Sequence, residues 1–171
     1  MDQIDRSAPV TLLGVSFGGM LCAELAEKIP VNKVFLVSSS INSKEFPFSL
    51  RLLKRIPIYQ LVPDAMIRLL ARNKRRFLGF EKSFEPVFFG MIDQMPKNYF
   101  KHCIHYIINW KRTGNTASII RIHGTADRLL HYRRAEHMHT IKGGSHSMVL
   151  NRAGEINHIL NQELNGPSFA S

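Results

Sequence analysis

The sequence is short of cysteine, of acidic residues and of long apolar runs, and each shortage excludes a class of protein. Its two cysteines, Cys22 and Cys103, sit in helix-patterned stretches without metal-ligand spacing, so neither a disulfide framework nor a zinc centre is indicated. A reducing, cytoplasmic setting is the expectation. No apolar run approaches the roughly 18 residues of a membrane-spanning helix, and the start MDQIDRSAPV carries acids and lacks the apolar centre of a signal peptide. Acids number 13 against 23 Lys and Arg, a formal charge of +10. Such a field attracts nucleic acid, anionic lipid or acidic substrates without choosing among them. The excess is regional: nine of the cations fall between Lys44 and Arg76, opposed there by Glu45 and Asp64.

What is present reads as one folded domain. At 171 residues, 44% of them hydrophobic, the chain can bury roughly 70% of the surface that it exposes when unfolded. Val10 to Val15 is a short apolar run of the kind buried on both faces in a parallel sheet. Phe17 to Ile29 reads as a helix stopped by Pro30, and "KVFLVSS" as a second strand. Strand, helix and strand within about 30 residues form a βαβ unit with a right-handed crossover. From Lys44 the character changes. Prolines recur at 47, 57, 63, 86 and 96, and eight of the eleven phenylalanines fall between Lys44 and Phe100, which predicts short helices broken by proline. A helix over Tyr99 to Lys111, strands in "ASIIRIHG" and "HMHTIKGGSH", and a terminal helix over Met148 to Leu164 complete the pattern. The fold class is therefore α/β, interrupted by a helical excursion.

The stretch "LLGVSFGGM" places Ser16 where a strand turns into a helix, with Gly14 and Gly18 two residues to either side. G-x-S-x-G alone arises by chance in about one chain of this length in twenty, so context decides. In this context the glycines permit a turn so tight that a side chain at either position would meet backbone, and the turn lifts the serine hydroxyl clear of the strand end. A serine hydroxyl needs a base to take its proton, and an imidazole does so best when a carboxylate fixes its tautomer. "IIRIHGTADRLL" sets Asp127 just beyond one strand, and "IKGGSHSMV" sets His146 between another strand and the last helix. Both share the C-terminal edge of the sheet with Ser16, where open α/β sheets carry their sites.

The order Ser, Asp, His, with GVSFGG, HGTADRLL and GGSHSMVL at these places, resembles the α/β-hydrolase superfamily in its branch with an inserted helical cap. The resemblance implies the C-terminal half of a mostly parallel sheet with helices on both faces. It assigns residues 1–43 and 99–171 to the core and 44–98 to the cap. It implies Ser16 as nucleophile, His146 as base, Asp127 as acid, and the Phe17 backbone N–H as an oxyanion donor. The activity implied is hydrolysis of an ester or thioester of a small acyl substrate through an acyl-enzyme, with no cofactor and an apolar pocket supplied by the phenylalanine-rich cap.

Other residues compete for these roles. Asp64 and Asp93 are alternative acids, but both lie in the expected cap. His102 with His105, and His137 with His139, can each share a face, yet no third ligand follows at metal-binding spacing, so no metal site is expected. Family members carry several strands and an oxyanion-hole loop before the nucleophile, whereas fifteen residues precede Ser16. The expectation is a truncated hydrolase with an apolar edge strand, "VTLLGV", open to a second copy of the chain. It would lack one oxyanion donor, at about 2.7–4 kcal/mol in turnover. A non-catalytic remnant that binds partners is the alternative. The basic stretch within residues 51–76 is amphipathic enough to touch anionic membrane or nucleic acid.

Overall fold

The computed structural model describes residues 10–112, 119–135 and 137–165. The first strand, β1 (Val10–Val15), leads through Ser16 into helix α1 (Phe17–Leu25) and back to strand β2 (Val31–Val37). Strands β3 (Ile119–Gly124) and β4 (Met138–Ile141) follow later in the chain. All three pairings are parallel and the order is β1-β2-β3-β4, so Leu13 faces Phe35, Val37 faces Ile122 and Ile122 faces His139. Among the described residues β1 pairs on one side alone, as the sequence suggests. On this edge strand Leu13 is 53% exposed.

Alternation along the strands sorts the core into two faces. Leu12, Val34, Leu36 and Ile119 pack with Ala23, Cys22 and Ala26 of α1. Val15, Val37, Ile122 and Ile141 pack on the other face against helices α7 (Met148–Asn151) and α8 (Ala153–Asn165), through Met148, Ile156, Ile159 and Leu160. Helices thus cover both sides of a parallel α/β sheet. The predicted terminal helix is two pieces, because Arg152 leaves helical geometry between them. Helix α1 ends four residues before Ile29. Its last turn tightens, with the Lys28 amide donating to the Leu25 carbonyl at 2.8 Å, and brings Pro30 and Val31 beside Val10. Strand β2 stops at Val37 because Ser38 takes a positive φ of 47°. Ala117 and Ser118, the start of the predicted third strand, lie outside the described residues.

Residues 43–95 are helical, as the prolines suggest: α2 (Phe48–Arg55), α3 (Asp64–Arg72), α4 (Arg75–Leu78) and α5 (Glu85–Gln94). Pro47 and Pro63 stand immediately before α2 and α3, and Pro86 sits in the first turn of α5, where a missing N–H costs nothing. The following α6 (Tyr99–Asn109) carries this segment, since α2 and α3 both pack on it. Phe46 and Leu50 join Met20, Phe17, Ile107, Leu130 and Trp110 in a cluster that ties the helices to the sheet. A partly buried ion pair does the same: Arg121 on β3 donates to both carboxylate oxygens of Glu45, at 2.8 and 3.0 Å. Among the described residues no helix is long and apolar enough to cross a membrane.

Candidate active site

Ser16 occupies the sharp corner between β1 and α1 with φ 52° and ψ −120°, a conformation that costs a non-glycine residue about 1–3 kcal/mol. Its backbone is held from three directions. The Ser16 amide donates to the Val37 carbonyl at 2.9 Å, while its own carbonyl accepts from the Gly19 amide at 3.0 Å and from Ser39 Oγ at 2.7 Å. The corner closes so tightly that a Cβ on Gly14 would lie 2.5 Å from the Gly18 carbonyl oxygen and the Gly19 nitrogen. The same reasoning fails at Gly18, where a Cβ would meet nothing within 4 Å. The second tight position is its neighbour Gly19, whose Cβ would sit 2.5 Å from Ser39 Oγ.

The three side chains expected to meet at the sheet edge do meet. His146 Nδ1 lies 2.9 Å from Asp127 Oδ2, and His146 Nε2 lies 2.9 Å from Ser16 Oγ. A carboxylate only accepts, so Nδ1 carries the ring proton and Nε2 is left to accept from the serine hydroxyl. Asp127 is fixed in turn, its Oδ1 accepting from the amides of Leu129 at 2.8 Å and Leu130 at 2.9 Å. The rival acids are engaged elsewhere: Asp64 accepts from Arg68, which holds its carboxyl below the usual range, and Asp93 pairs with Arg72.

A fourth side chain belongs to this cluster and the sequence reading did not anticipate it. His123, buried at the end of β3, approaches Asp127 Oδ2 at 3.3 Å and the Leu130 carbonyl at 2.8 Å through the same Nε2. Both neighbours accept, so Nε2 carries the proton and one carboxylate oxygen serves two imidazoles. Burial alone would push the Asp127 carboxyl up. The hydrogen bonds from His123 and His146, with the Leu130 amide, outweigh it and hold the group well below the carboxylate range. The signal in the sequence was a histidine four residues before an acid, inside an otherwise apolar strand.

The His146 loop is also braced from the helical segment. Ser145 Oγ donates to the Gly79 carbonyl at 2.7 Å, and the Ser147 amide donates to the Leu78 carbonyl at 3.1 Å. Gly79 has φ 76°, and a Cβ there would lie 2.3 Å from that of Ser145. The paired histidines have other partners: His105 Nδ1 meets Tyr59 Oη at 3.1 Å and His139 Nε2 meets Glu163 at 2.7 Å. Among the described residues no three His, Cys, Asp or Glu side chains are placed to hold a metal ion.

The Phe17 amide is the first of α1, next in the chain to Ser16, at the helix end where an N–H has no acceptor within the helix and the helix dipole is positive. Phe17 also begins a cleft of about 970 Å³ between α1 and α6. Met20 and Leu21 form one wall, Cys103, Tyr106 and Ile107 the other. Burial raises the Cys103 thiol and Tyr99 hydroxyl pKa values, so both wall groups stay neutral at ordinary pH. No phenylalanine of residues 44–98 lines this cleft. Phe80 and Phe88 instead pack on each other at 4.8 Å, and Phe46 is buried against Trp110.

A family model described as the alpha/beta hydrolase family matches residues 2–159. The chain belongs to this family. Solved alpha/beta hydrolase folds agree at low identity. A thermophilic esterase from Thermogutta terrifontis is 11% identical with a TM-score of 0.70, over 92% of this chain and 65% of its own. An esterase from Exiguobacterium antarcticum is 12% identical with a TM-score of 0.67, over 93% and 68%. The 2-hydroxy-6-oxo-6-phenylhexa-2,4-dienoate hydrolase of a Rhodococcus species is 15% identical with a TM-score of 0.56, over 92% of this chain and 64% of its own. This alpha/beta hydrolase chain therefore spans about two thirds of the length of such structures. No curated protein sequence is significantly similar to it.

Proposed function

We propose that the chain is a serine hydrolase that cleaves an ester or thioester with an apolar acyl group. The observation that carries this reading is the unbroken hydrogen-bonded line from Ser16 Oγ through the His146 ring to Asp127. Ser16 Oγ attacks the acyl carbon while its proton passes to His146 Nε2, and the charged ring is stabilised by Asp127 through Nδ1–H. The carbonyl oxygen becomes an oxyanion facing the Phe17 N–H. Collapse breaks the bond to the alcohol or thiol, which leaves with the proton from Nε2, and Ser16 holds the acyl group. Water, deprotonated by the same nitrogen, then releases the acid and restores the serine. Phe17, next to the nucleophile, also lines the largely apolar cleft between α1 and α6, which Ser16, Asp127 and His146 themselves do not line.

The rival reading is a hydrolase scaffold that binds without turnover. A fluorophosphonate probe with peptide mass spectrometry separates the two. We expect an adduct on Ser16, absent in Ser16→Ala, and a fall in p-nitrophenyl ester turnover of about 10⁴-fold or more in that variant. Folded protein that takes no label, or label that persists in Ser16→Ala, rejects the proposal.

A further inference from the structure

The outer surface of α2 and α3 has no part in the chemistry above and is unlike the rest of the molecule. Phe48 and Leu52 on α2 and Ile56 just past its end recur every fourth residue and are 71%, 42% and 55% exposed. On α3, Met66, Leu69 and Leu70 are 52%, 59% and 51% exposed, and between the helices Ile58 and Leu61 reach 57% and 86%. Folding does not require this apolar display. The inward positions are separately satisfied: Leu50 joins the core cluster, and Tyr59 is buried with its hydroxyl on His105.

Charge on α2 is of one sign. Arg51, Lys54 and Arg55 are exposed on α2, and among the described residues none of them pairs with a carboxylate. The acids of this stretch are spent inward, Glu45 on Arg121 and Asp64 on Arg68. A face that joins a wide apolar stripe to unopposed cations meets the two demands of a bilayer interface, which offers acyl chains just beneath anionic headgroups. Nucleic acid would satisfy the cations but leave the aliphatic side chains unused, since single strands reward aromatic stacking and duplexes reward phosphate contacts.

We propose that the α2–α3 face docks the protein on the surface of an anionic membrane. The chain lies on the bilayer with the α2 and α3 stripes at the acyl boundary and Arg51, Lys54 and Arg55 at headgroup level. The inference is independent of whether Ser16 is catalytic. Vesicle flotation of the full chain tests it, using phosphatidylcholine alone and phosphatidylcholine with about one third phosphatidylglycerol. We expect binding at least about tenfold stronger to the anionic vesicles, weakened but not abolished by high salt. Leu61→Asp and the combined Arg51→Glu, Lys54→Glu, Arg55→Glu variant should each lose about tenfold. Both alter exposed side chains, and an unchanged thermal melt verifies that they remain folded. Three results overturn the proposal: no preference for anionic vesicles, binding that neither variant changes, or capture by nucleic acid or an acidic protein with no vesicle binding.

Discussion

The C-terminal edge of the sheet and the outer face of α2 and α3 treat polarity in opposite ways. At the sheet edge, Asp127 and His146 are taken out of water, and each has hydrogen-bond partners that suit its chemistry. Along α2 and α3, large apolar side chains are left in water, and on α2 the cations Arg51, Lys54 and Arg55 go without carboxylates among the described residues. The first region spends packing to hold a geometry, because a buried polar group without partners is costly. The second contributes little to holding the fold together, so its composition answers to something outside the chain.

Stability measurements on paired substitutions sharpen that contrast. Ile122→Ala, in the fully buried centre of β3, should lower unfolding free energy by about 2–5 kcal/mol in denaturant titration. Gly14→Ala drives a methyl into backbone at 2.5 Å and should cost about 1–3 kcal/mol, whereas Gly18→Ala enters open space and should be neutral or stabilising by up to about 1 kcal/mol. Equal losses at both glycines would refute the account of the corner.

Acid tests the sheet edge in another way. The Asp127 carboxyl is held below its unfolded value of about 3.9, so its contribution is complete above that value and drains away as pH falls toward the folded one. Melting temperature against pH should therefore fall on the acid side in the parent and fall less steeply in Asp127→Asn. At the small end, Leu61→Ala on the 86% exposed side chain should change stability by no more than about 0.5 kcal/mol. A loss near that of Ile122→Ala would mean that α2 and α3 carry the fold after all.

Local pattern and long-range contact divide what the sequence disclosed. The short apolar runs named all four strands, and the prolines named the helical segment, because both signals act within a few residues. Ser16, Asp127 and His146 were legible because the ends of parallel strands gather at one edge whatever lies between them. His123 was not, since its role depends on a strand-end ring reaching across the following turn to the same carboxylate oxygen. Nor was the exchange of Gly18 for Gly19 as the crowded position: that depends on Ser39, which arrives from the end of the next strand. The brace from Gly79 to Ser145 joins residues 66 apart, beyond the reach of any local pattern.

Trp110 is the single tryptophan of the chain. It stands where α6 meets α1, with its indole Nε1 donating to Glu24 at 2.7 Å and its ring tilted against Phe46 at 5.8 Å. The molecule thus contains its own optical gauge. Ultraviolet emission excited at the indole comes from one known joint between the helical layer and the sheet, and a red shift there would register those layers parting without any attached dye.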